Sequence, residues 1–170
     1  MDEEEARWRA LAALLPPDRA REVLDCREIG EQEAALDLLV AGLAAAEVAI
    51  TDEERARIAV TAEEWGVRES VEPVLLRCRS REGGRVRVVD GEPAEDSGLV
   101  VVPWLACTRC DRVLSRVHRR EPWGGLSYLA VRYVVSGRSR GPDSGSGPGS
   151  EFGPEEAWAA FTALTSCAAT

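Results

Sequence analysis

Lysine is absent from this chain: all 21 basic side chains are arginine. With abundant Ala, Gly and Val, that bias suggests a source with GC-rich codons. Histidine occurs once, as His118, so any histidine-based triad or general base has to use it. No apolar run is long enough to span a bilayer. The opening Met1-Asp2-Glu3-Glu4-Glu5 is acidic, whereas a secretory signal starts basic and then turns apolar, so a cytoplasmic protein is expected. The five cysteines, an odd number without a signal segment, argue for reduced thiols rather than a disulfide framework. No phosphate-cradling glycine loop, no nucleophile elbow and no internal repeat is present. With one histidine and no complete catalytic motif, the chain is expected to have no catalytic activity and to need no cofactor.

What is present fits an ordinary soluble globular protein: 170 residues, 45% hydrophobic and 30% charged. The net charge of −9 is unevenly spread. Residues 1–65 carry 17 acidic and 7 basic side chains, a net of −10, and residues 66–140 carry 9 and 14, a net of +5. An acidic half repels nucleic acid and attracts basic partners.

The first 67 residues read as four short helices. Asp2 is placed to cap the first, with Trp8, Leu11 and Leu15 on one face and Pro16-Pro17 ending it. The second starts near Asp18, with Ala20, Val23 and Leu24 as its stripe, and Gly30 suits its C′ position. The third runs from about Glu31 to Ala46 with Leu36, Leu39, Val40 and Leu43 inward. Thr51-Asp52-Glu53-Glu54 is a capping box opening the fourth, with Ile58, Ala62 and Trp65 buried and Gly66 closing it.

The texture changes after Gly66. Pro73–Arg79 and Arg85–Val89 read as strands joined by a hairpin turn at 80–84, Asp90–Ser97 as an acidic loop, and Leu99–Val102 as a third strand. Residues 104–120 admit two readings. Ala106, Cys110, Val113, Leu114 and Val117 fit a helical stripe after Pro103, and this helix is the preferred reading. The competitor is a strand pair turning at Cys107–Asp111. Leu126–Val135 reads as a long strand with Leu129, Val131, Tyr133 and Val135 on one face. The expected fold class is α+β: a small N-terminal helical unit packed with a mostly antiparallel sheet, plus one further helix.

The organisation that follows is a body over 1–140, helical through 67 and β-rich over 68–137. A flexible linker covers 141–152 and a short helical segment 153–170. The stretch Gly141–Ser150 is all Gly, Ser, Pro and one Asp, and Glu151-Phe152 after it resembles an engineered junction. Trp158, Phe161 and Leu164 are spaced as anchors for helix-in-groove docking, on this body or a neighbouring copy.

Cys107-x-x-Cys110 is the one motif with metal-ligand spacing. Zinc wants four donors, and only His118 and Cys78 lie near in sequence. A lone pair of this kind is more often two buried cysteines, so no bound metal is expected, with Cys107, Cys110 and His118 as the candidates should one be held.

Residues 15–67 resemble the Maf-type immunity proteins of bacterial polymorphic toxin systems. The resemblance rests on a helix broken near Gly30, then Ala34-Ala35-Leu36-Asp37-Leu38-Leu39, then Val48-Ala49-Ile50-Thr51-Asp52-Glu53-Glu54, then a helix ending Glu64-Trp65-Gly66. It implies a helical protein that binds and silences a cognate toxin, and it carries over no binding residues. The expected partner is therefore a protein or peptide, suitably a basic one, with neither nucleic acid nor membrane involved. The alternative treats Glu155–Leu164 as resembling the leader of a ribosomally made peptide, with Thr165-Ser166-Cys167 opening a modifiable core. The body would then be a leader-binding or maturation protein.

Overall fold

Among the described residues, five helices build the first half of the chain and a six-stranded sheet with one helix builds the second, an α+β protein. The computed structural model describes residues 2–137 and 149–167. The chain divides into two units, Met1–Gly83 and Gly84–Thr170. No helix among the described residues is long and apolar enough to cross a membrane.

In the first unit α1 (Glu3–Ala12), α2 (Pro17–Glu28), α3 (Gln32–Ala45) and α4 (Asp52–Glu64) follow the sequence signals closely. The Asp2 carboxylate accepts from the Glu5 backbone N–H at 2.7 Å, which satisfies one of the unpaired donors that open α1. Gly30 (φ +90°) follows α2, where Glu31 N–H donates to Cys26 O and Gly30 N–H to Arg27 O. Gly66 (φ +67°) repeats this αL termination after α4. At Thr51 the capping box is complete: its backbone N–H donates to the Glu54 carboxylate at 2.7 Å, and Glu54 N–H donates to its hydroxyl at 3.1 Å. Trp8, Leu36, Leu39, Leu43, Ile50 and Ile58 are fully buried together.

The strand expected at 73–79 is a helix instead. α5 (Arg68–Leu75) continues the helical unit, with Val71, Leu75 and, just beyond it, Cys78 buried at helical spacing. Pro73 lies inside this helix and hides the period from a sequence reading. No hairpin forms at 80–84; Ser80 bridges Ile50 in parallel, and the Arg55 guanidinium, buried, closes the unit. It donates to Leu75 O at the end of α5, to Cys78 O at 3.1 Å and to Ser80 Oγ at 3.1 Å.

The second unit holds β1 (Val86–Val88), β2 (Ala94–Asp96), β3 (Leu99–Cys107), β4 (Val113–Arg119), β5 (Arg132–Ser136), β6 (Ser150–Phe152) and α6 (Ala157–Thr165). The sheet order is β1-β3-β4-β5-β6, with β2 also on β3, and every pairing is antiparallel. The helix preferred for 104–120 is therefore the strand pair β3–β4. Leu114 to His118 are consecutively buried, so β4 is covered on both faces and lacks the alternation that marks a half-exposed strand. Pro103, read as a helix start, borders the register shift between Pro103 and Leu105, a bulge where a missing N–H does no harm.

The long strand expected at 126–135 shrinks to β5, and Leu126, Tyr128 and Leu129 are exposed. Part of the expected linker is structured: Ser150–Phe152 is β6, paired Tyr133↔Phe152 and Val135↔Ser150. Residues 141–148 lie outside the described residues. α6 packs on β3, β4, β5 and β6, burying Ala157, Ala160, Phe161 and Leu164.

Candidate metal centre

The β3–β4 turn runs from Cys107 to Arg112 and is closed by Cys107 N–H donating to Arg112 O at 3.0 Å. Thr108 N–H donates to Arg85 O at 2.8 Å, which ties the turn to the residue before β1. Within the turn the backbone folds back on the first cysteine, and Arg109 N–H donates to Cys107 Sγ at 3.4 Å. A sulfur that receives backbone N–H groups is prepared to carry negative charge.

The third thiol comes from the far end of the unit. Arg112 reaches from the turn to the end of α6, donating to Ala163 O at 2.8 Å and to Ser166 Oγ at 3.4 Å. A cation at a helix C-terminus meets the free carbonyls and the negative end of the dipole. This grip sets Cys167 beside Cys107, with the sulfurs 3.4 Å apart. The sulfurs of Cys107, Cys110 and Cys167 all lie within 4.8 Å of one another. Cys107 is buried, while Cys110 and Cys167 are half-buried. An open hollow of about 420 Å³ lies against Cys107 and Cys110, with Arg87, Asp111 and Arg112 also on its wall.

Cys107 and Cys167 are shifted in opposite directions. Burial opposes ionisation of Cys107, but donors from the Arg109 and Cys110 backbone and from the Cys167 and Cys110 thiols outweigh it and lower its pKa. Cys167 is pushed up to about 11, first by its hydrogen bond to Cys107 and next by that to Cys110.

His118, the other candidate ligand, does not join them. It is buried near the far end of β4, across from Val100, and its Nδ1 lies 2.9 Å from Ser127 O. It lies five residue steps along the strand from Val113, roughly 17 Å at the usual rise. Cys78 belongs to the core of the helical unit, where its thiol donates to Val74 O at 3.6 Å. Cys167 had no signal in the sequence, because 60 residues separate it from Cys107 and only the sheet brings them together. Of the expected anchors, Phe161 and Leu164 are buried on the sheet, whereas Trp158 is half-buried, its ring edge-on to Phe161 at 5.3 Å.

The helical unit offers a different kind of surface. Ile29, at the turn between the packed helices α2 and α3, is 76% exposed. Asp25, Glu28, Glu31 and Glu33 flank it in the chain, and all four are exposed. Compared with protein-family models, curated proteins and solved structures, the chain matches none of them.

Proposed function

We propose that this chain is a cytoplasmic, non-catalytic binding protein of the immunity type, whose helical unit neutralises a basic toxin domain. The observation that carries this reading is the α2–α3 turn. One large apolar side chain, Ile29, stands exposed between exposed carboxylates on both sides. An apolar anchor supplies affinity once water is excluded around it, and a ring of one charge steers and orients a partner of the opposite charge. The resemblance of residues 15–67 to Maf-type immunity proteins points the same way. The leader-peptide alternative needs the C-terminal segment to be a ligand, yet β6 and α6 complete the sheet and core of their own unit.

The test is to clone the neighbouring gene and co-express it with this chain. On this reading the neighbour encodes a toxin, and the chain restores growth. The double reversal Glu28→Arg and Glu31→Arg should abolish rescue, and binding should weaken with salt. A neighbour encoding a short precursor peptide, or rescue untouched by the reversal, would contradict it.

A further inference from the structure

We propose that Cys107, Cys110 and Cys167 form a three-thiolate site for a zinc-class divalent cation, and that the ion clamps the end of α6 to the β3–β4 turn. Two cysteines on one turn alone would not support this. The case rests on convergence: two ligands on one tight turn, a third from a distant segment, and an arginine that holds that segment in place.

The geometry suits the ion. Zn–S bonds of about 2.3 Å in a tetrahedron place sulfurs about 3.8 Å apart, so the observed spacing needs adjustments of about 1 Å or less. A disulfide between Cys107 and Cys167 would need a sulfur separation of about 2.0 Å and would leave Cys110 with no role. Soft thiolates select zinc-class ions over magnesium or calcium. The backbone N–H of Arg109, aimed at Cys107 Sγ, is the outer-shell bond that steadies a metal thiolate. Charge also fits: three thiolates around a divalent ion leave one net negative charge, and the hollow beside them carries Arg87 and Arg112. Tetrahedral coordination takes three donors from the described residues, and the fourth position is expected to hold a light atom such as water oxygen. Binding replaces three S–H bonds by three metal–sulfur bonds and passes the protons to the buffer.

What the ion would do follows from where its ligands come from. Cys107 and Cys110 sit on the turn, and Cys167 follows α6 by two residues. Coordination would pin a nine-residue helix that is too short to persist alone in water.

The experiment uses the full chain, reduced and stripped of metal, titrated with Co²⁺ alone and then with Zn²⁺. One Co²⁺ per chain is expected, with thiolate charge-transfer absorption and the intense visible bands of tetrahedral cobalt, and Zn²⁺ should displace it. X-ray absorption on the zinc form should give three sulfurs and one light atom. Cys110→Ser and Cys167→Ser should each weaken binding by roughly 100-fold or more, beyond the loss from an outer-shell change. Cys26→Ser and Cys78→Ser should leave it unchanged. Because Cys110 and Cys167 are only half-buried, their serine variants are expected to keep the fold, which circular dichroism checks. Failure to take up stoichiometric metal overturns the proposal. So does uptake that Cys167→Ser leaves unaltered, which would assign the metal to the Cys107–Cys110 pair alone. Neither result bears on toxin binding by the helical unit.

Discussion

The two units of this chain are held together by different means. The helical unit packs a continuous cluster of apolar side chains around Trp8, and α1 and α4 are capped by Asp2 and Thr51. The sheet unit buries Trp104, Leu105, Leu114, Tyr133, Phe161 and Leu164 beside Ser115, Arg116 and His118. Its aromatic contacts are stitched by charge, with Arg116 lying 4.8 Å from the Trp104 ring centroid and Tyr133 stacked obliquely beyond at 6.5 Å. A cross-link stabilises by closing a loop of the unfolded chain, and more so when its ends lie far apart in sequence. The thiol cluster falls in the sheet unit, where such a link would join residues 60 apart in sequence.

The largest effects should come from truncating a buried aromatic ring in each core. Trp8→Ala and Phe161→Ala should each cost about 3–5 kcal/mol, read by chemical denaturation. If the units fold independently, each variant should shift only one of two transitions. A single shared transition would break the comparison.

A smaller loss is expected at Arg55, the one buried guanidinium described in the helical unit. Arg55→Ala strands the carbonyls of Leu75 and Cys78 and should destabilise that unit by about 2–4 kcal/mol, visible as faster hydrogen exchange at the end of α5. The sheet unit should be indifferent to it.

Arg112 tests the sheet unit in the same way. Arg112→Ala releases the end of α6 and should weaken cobalt binding by about 10–100-fold while leaving the three-sulfur spectrum intact. Arg112→Lys should restore part of the affinity.

The smallest effect sharpens the electrostatic side. Burial raises the Glu64 carboxyl above the ordinary glutamate pKa, with Arg7 at 3.7 Å opposing and Glu4 reinforcing. The folded chain therefore holds this proton more tightly than the unfolded chain does. Its contribution is complete below the ordinary pKa and fades as pH rises through the raised one. Glu64→Gln should flatten that decline and change stability at neutral pH by less than about 0.5 kcal/mol, as denaturant midpoints taken across the interval would show.

The same contrast explains what could be read in advance. Asp2, Gly30, the Thr51–Glu54 box and Gly66 act within four or five residues, so the first four helices were legible from the chain alone. α5 was missed because Pro73 broke a pattern that Val71, Leu75 and Cys78 otherwise kept. In the sheet unit the deciding contacts are distant. β4 is covered on both faces, which erased its alternation and let a chance helical stripe prevail. Glu151 and Phe152 read as a junction because nothing local marks them as partners of Val134 and Tyr133. The Cys107–Cys110 pair was visible by spacing, whereas the fold sets Cys167 beside it and His118 far along β4. Only the path of the chain through β5, β6 and α6 separates those choices.

The most direct measurement is hydrogen exchange on the full reduced chain, with and without one equivalent of Zn²⁺. Protection should rise over α6 and the β3–β4 turn, at 107–112 and 157–165, and stay unchanged over α1 to α5. Cys167→Ser should erase the difference. Zinc that protects neither segment, or that slows exchange in both units alike, would contradict a clamp built into the sheet unit alone.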